Sequence, residues 1–169
     1  MRYALSIILC TLLLFCSSCG YRLGGLVNSD MKDMKTFDVQ MFRNYTGYPH
    51  VAMQMTTAVG DVMQSDGTFR MVSPSRSDFS ISGAVSSVSA SSLITNPDDT
   101  YVSLEVELTV SVQYQITNRK TGKVIKSGTV EADGSYFNVA GNVQSAREIA
   151  LSYATRKAAL KIVDELTLP

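Results

Sequence analysis

Val102-Ser103-Leu104-Glu105-Val106-Glu107-Leu108-Thr109-Val110-Ser111-Val112-Gln113-Tyr114-Gln115-Ile116 is the stretch that decides the fold. Every even position is apolar, and every odd position between them is polar. A helix would scatter that alternation around its circumference. An extended strand sorts it onto two faces, one for a core and one for water. At about 3.4 Å per residue the run reaches roughly 50 Å, far beyond the usual strand of about 5–6 residues, so it is expected to twist or bend.

The neighbouring segments can be read outward from this strand. Asn118 to Gly122 predicts a hairpin turn, and Val124 to Ala132 the returning strand, with Val124, Gly128, Val130 and Ala132 in phase. Upstream, Phe79, Ile81, Gly83 and Val85 alternate on one face. Val88 then falls out of phase across Ser86-Ser87, which predicts a bulge. Thr95 to Asp99 reads as a loop, Thr68 to Val72 as a short strand, and Thr36 to Phe42 as the first strand.

Two helices complete the pattern. One runs from about Pro49 to Gln64, with Val51, Met55, Ala58, Val59 and Val62 on one stripe. Gly60 weakens it and suggests close packing there. The other runs from Val143 to Leu166, after an Asp133–Asn142 loop, with Ala146, Ile149, Ala150, Tyr153, Leu160 and Val163 as its stripe. Each helix has one apolar stripe and the sheet one apolar face. The simplest packing is an α/β two-layer sandwich: a small, mostly antiparallel (mixed) sheet of about four strands with two helices on one face.

The beginning of the chain carries a different message. Arg2 precedes an apolar run from Ala4 to Phe15, followed by Ser17, Ser18 and Cys19. The run is too short to cross a membrane as a helix, and the layout is that of a secretory leader. A cysteine directly after two small residues is where a bacterial lipoprotein is acylated, although Cys16 stands where a branched aliphatic residue is usual. Residues 1–18 are therefore expected to be a signal peptide, with lipid such as palmitate attached at Cys19. Residues 19–35 would be the lipidated N-terminus and tether, and residues 36–169 the α/β domain. All three cysteines lie at or before residue 19. An exported body without disulfides must rely on its hydrophobic core.

Composition narrows the functional classes. Lys and Arg number 15, as do Asp and Glu, for a formal net charge of zero. Without Arg2 the acidic residues exceed the basic ones by one, which is not the balance of a nucleic-acid binder. No enzyme, metal or cofactor is expected. His50 is the sole histidine, no glycine-rich phosphate loop follows a strand, and no spacing suits metal ligands. Arg119, Lys120, Lys123 and Lys126 cluster around the predicted hairpin. That cluster suits a phosphate ligand held by charge-assisted hydrogen bonds, and equally a solvated turn that keeps an edge soluble.

Several stretches taken together resemble the LptE family of lipopolysaccharide-assembly lipoproteins. They are Cys19-Gly20-Tyr21-Arg22-Leu23, Phe37 to Thr46, Asp66-Gly67-Thr68-Phe69-Arg70-Met71-Val72, Ile81-Ser82-Gly83, Thr121-Gly122-Lys123-Val124 and the alanine-rich terminal helix. The resemblance implies an outer-membrane lipoprotein facing the periplasm, lipid-anchored, that plugs an LptD-type β-barrel, assists its assembly and helps deliver lipopolysaccharide. Known members hold lipopolysaccharide through basic loop residues. The Leu93–Thr100 loop has none here, so those positions are not carried over, and Arg119, Lys120, Lys123 and Lys126 are candidate lipopolysaccharide contacts on the strength of their own clustering. The polar face of the long strand, at Glu105, Glu107, Thr109, Ser111 and Gln113, is the candidate barrel interface, because barrel lumens are polar. The alternative is an outer-membrane lipoprotein that activates a peptidoglycan synthase by binding it. The tether from Cys19 to the first strand spans at most roughly 55 Å, which favours a partner close to the membrane.

Overall fold

The structure, a computed structural model, describes residues 31–96, 99–138 and 142–167. The leader, Cys19 and most of the tether lie outside the described residues. In chain order the elements are β1 (Thr36–Val39), β2 (Arg43–Asn44), α1 (Val51–Asp66), β3 (Arg70–Met71), β4 (Phe79–Asn96), β5 (Asp99–Asn118), β6 (Val124–Phe137) and α2 (Val143–Thr167). The six strands form one sheet in the order β3-β1-β4-β5-β6, with β2 also paired to β4. The pairings of β1 with β3 and β4, and of β2 with β4, are parallel. Those of β5 with β4 and β6 are antiparallel. Both helices cover one face. The expected two-layer α/β sandwich is present, with six strands where about four were expected: β3 lies within the short strand expected at Thr68–Val72, and β2 is the added one.

The long alternating stretch lies in β5, and its apolar side chains from Leu108 onward form the middle of the core. Leu108, Val110, Val112, Tyr114 and Ile116 are buried beside Phe79, Ile81 and Val85 of β4 and Phe37 of β1. Phe79 stacks on Phe37 and meets the edge of Phe69. Met31 is buried in the same core, ahead of the first strand. From α1 come Val51, Met55, Val59, Val62 and Met63. Gly67, with φ of +77°, stops that helix in the left-handed conformation that favours glycine.

Several boundaries differ from the sequence reading, each for a local reason. The expected Thr95–Asp99 loop narrows because β4 and β5 pair as far as Asn96 and Asp99. The first helix begins two residues after Pro49, with the first helical bond running from the Gln54 N–H to the His50 carbonyl. The Asp133–Asn142 loop is strand as far as Phe137. Its Gly134 lies under α2, where an added Cβ would sit 2.3 Å from the Ala150 carbonyl oxygen. Val124 leaves the expected phase because a bulge between Lys126 and Val124 puts Val124 opposite Thr117 and Lys126 opposite Ile116. The bulge expected near Ser86 is present between Val85 and Ser87.

The stripe of α2 is also corrected. Ala150 and Val163 are buried as expected, but Ile149, Tyr153 and Leu160 are exposed. Ala150, Ala154, Ala158, Leu151, Ile162 and Leu166 make the inward face instead. The backbone contact at Gly134 admits only small side chains near the helix start, so the larger ones turn outward. Gly60, expected to mark close packing, does not: an added Cβ would meet Met71 at an ordinary 3.7 Å.

Candidate functional site

The face of the sheet away from the helices is polar across the middle of three strands and ends at two exposed apolar side chains, Ile94 and Phe137. Ser89, Thr109 and Asp133 stand side by side, as do Ser87, Ser111 and Glu131, and Ser91, Glu107 and Ser135. Glu105 lies between Ile94 and Phe137, and Gln113 between Ala84 and Thr129. The five candidate interface residues Glu105, Glu107, Thr109, Ser111 and Gln113 therefore lie on one surface, because successive odd positions of one strand share a face. Gln113 is exposed and the other four are half-buried among their neighbours.

At the Gln113 end this face forms a trough of about 640 Å³. Its floor is Ser82, Ala84, Gln113, Gln115, Ser127 and Thr129. Gln40, Met41, Arg43 and Tyr45, from the segment linking β1 to β2 and just beyond it, line one side. That segment is held in place from both ends. Phe42 is buried, its N–H donates to the Thr56 hydroxyl of α1 at 3.0 Å, and its ring fills the space a side chain at Gly83 would take. Asn44 accepts from the N–H and hydroxyl of Thr46 and donates to the Tyr48 carbonyl at 2.8 Å. The Tyr45 N–H bonds the Val85 carbonyl.

The basic hairpin is not a free cationic turn. Arg119 grips Asp38 with two bonds, Nε to Oδ1 at 3.0 Å and a terminal nitrogen to Oδ2 at 2.8 Å. Asp38 is only 2 % exposed and also accepts from Ser77 at 2.6 Å and Ser80 at 3.2 Å. Burial raises the Asp38 carboxyl, but these hydrogen bonds and the Arg119 charge outweigh it, and the group is held below the usual carboxylate range. Lys120 bonds Asp78 at 3.0 Å. Asp78 also accepts from the Lys35 and Thr36 N–H groups and from the Thr36 hydroxyl, which hold its carboxyl far below the usual range. Lys126 reaches the Glu165 carbonyl near the end of α2, where a cation meets the negative end of the helix dipole. Only Lys123, among the described residues of this cluster, has no acidic partner.

The trough was missed by sequence reasoning. Its lining comes from four strands and a turn, and only the odd phase of β5 gave a hint of it. Among the described residues no three His, Cys, Asp or Glu side chains converge as metal ligands would.

The lipopolysaccharide-assembly family LptE matches residues 34–166. No curated protein matches at a significant level. Among solved structures, the PelC dodecamer from Paraburkholderia phytofirmans superposes with a TM-score of 0.55 at 19% identity, covering 85% of this chain and 95% of that one. Rare lipoprotein B from Shewanella oneidensis gives 0.51 at 15% identity, covering 78% and 92%. A minor lipoprotein from Acinetobacter baumannii gives 0.50 at 17% identity, covering 79% and 93%. At these identities the likeness is one of fold.

Proposed function

This chain belongs to the LptE lipopolysaccharide-assembly family, and from that membership we propose that it is an outer-membrane lipoprotein that plugs an LptD-type β-barrel. In this reading lipid on Cys19 anchors it at the periplasmic face, it assists folding of the barrel, and it helps deliver lipopolysaccharide to the cell surface. The observation that carries the reading is the polar sheet face. An isolated sandwich needs only one apolar face, and a polar outer one serves equally well in water or in a hydrated lumen. Here that face runs along β4, β5 and β6, broad and regular enough to meet a surrounding wall through many hydrogen bonds and bridging waters. The contact centres on Glu105, Glu107, Thr109 and Ser111.

Lipopolysaccharide contact at the hairpin is narrowed by the ion pairs. Arg119 is committed to Asp38, and Lys120 and Lys126 are paired at the surface with Asp78 and Glu165, so Lys123 is the hairpin cation without an acidic partner among the described residues and free to meet a phosphate. Depletion of the protein tests the whole reading. The barrel partner is expected to accumulate misassembled and lipopolysaccharide to fall short of the surface. Altered wall synthesis with normal surface lipopolysaccharide would instead support activation of a peptidoglycan synthase.

A further inference from the structure

We propose that the trough beside Arg43 and Tyr45 is a binding site for an acidic saccharide, a sugar bearing a phosphate or carboxylate. The proposal deepens the lipopolysaccharide reading and rests on it for the source of the sugar, not for the site itself. Three features of the trough carry it.

The first is charge. Arg43 is the only cation on the lining and no carboxylate accompanies it. Among the described residues its guanidinium has neither an ion-pair nor a hydrogen-bond partner, unlike Arg119, which is committed to Asp38. A planar fork of donors left open at the side of a hollow suits a phosphate or carboxylate, which it can bind with two parallel bonds.

The second is the floor. Gln113, Ser127 and Thr129 present amide and hydroxyl groups with no partner inside the protein among the described residues. Amides and hydroxyls both donate and accept, as sugar hydroxyls require. Acyl chains would leave those groups unpaired, which is costly. The third is Tyr45. The residue is 66% exposed and lines the trough, where an apolar ring face with a polar tip can lie against the C–H face of a sugar ring.

The site is also held in shape before any ligand arrives. Buried Phe42 and the bonded Asn44 turn flank Arg43 and Tyr45, so little backbone freedom remains to be lost on binding. The volume of about 640 Å³ falls within the range of about 300–1,000 Å³ typical of ligand sites and admits a mono- or disaccharide unit.

The test is titration of the full-length protein, extracted in detergent, followed by amide NMR shifts. Glucose 6-phosphate and glucuronate are the probes; glucose and inorganic phosphate are the controls. The acidic sugars are expected to move the Ser82, Gln113 and Thr129 amides together, and to bind about tenfold more tightly than either control, the difference one charge-assisted contact gives. Arg43→Ala should remove that preference and leave glucose unchanged. Tyr45→Ala should weaken all the sugars and spare phosphate, and Lys123→Ala should change nothing. Equal binding of phosphate and glucose 6-phosphate, absence of shifts, or unaltered preference in Arg43→Ala would each overturn the proposal. Any of these results would leave capture of a barrel at Thr109 unaffected, so the two readings fail separately.

Discussion

Glycine has opposite meanings at two positions of this chain. Gly60 lies within α1, where glycine costs helix stability and an added methyl would find ordinary contact distances. Gly60→Ala is expected to raise stability by about 0.5–1 kcal/mol in chemical denaturation. Gly134 lies where α2 crosses β6, and a methyl there would press into the Ala150 carbonyl. Gly134→Ala should cost about 1–3 kcal/mol, as overpacking does. Equal effects at the two sites would contradict the helix–sheet contact described here. The carboxyls of Asp38 and Asp78 make a second residue-scale prediction. Both are held low in the folded state. A group whose folded value is depressed stabilises above its unfolded value, about 3.9 for aspartate, and loses that contribution as pH falls through the folded value. Thermal unfolding should therefore be steady near neutrality and drop steeply below about pH 4. Asp38→Asn should be less stable at pH 7 and lose less on further acidification. A parallel pH profile in that variant would contradict a depressed Asp38. Neither the Asp38–Arg119 pair nor the role of Gly134 could be read from sequence, because each joins positions far apart in the chain.

At the scale of elements, β5 carries the most directly testable alternation. Leu108 is buried against the helical layer and Thr109 faces away from it. Leu108→Asp would bury an unpaired charge and should cost about 4 kcal/mol or more, whereas Thr109→Asp, on the polar face but opposite Asp133, should cost only about 1 kcal/mol. Equal losses of thermal stability would mean that the strand phase is wrong. This phase was legible because strand alternation has a period of two and only one face is buried. The stripe of α2 was less legible. Ile149, Tyr153 and Leu160 have the right spacing for a core face, yet the chain buries alanines there because Gly134 brings the helix down onto the sheet. Pattern alone ranks large apolar residues above small ones, and close approach reverses that order. The short strand β2 was hidden for another reason: two residues carry no period.

At the scale of the whole molecule, the sandwich has a polar sheet face, proposed above to meet a barrel wall, and a trough at one end of that face. The hairpin tests how lipopolysaccharide contact is divided. Replacing Arg119, Lys120 and Lys123 together with Glu would set acids against Asp38 and Asp78, so loss of binding in that variant would follow from damage to the fold. Lys123→Glu alone leaves those pairs intact. It should weaken lipopolysaccharide binding at low salt, with the difference shrinking as salt screens an exposed charge. Identical binding by parent and variant at low salt would return the hairpin to a structural role. The central claim is tested most directly by a photo-crosslinker placed at Thr109 or Ser111 in living cells. The account predicts capture of one outer-membrane protein of β-barrel type, at both positions and resistant to salt. Capture of a peptidoglycan synthase at these positions would contradict it.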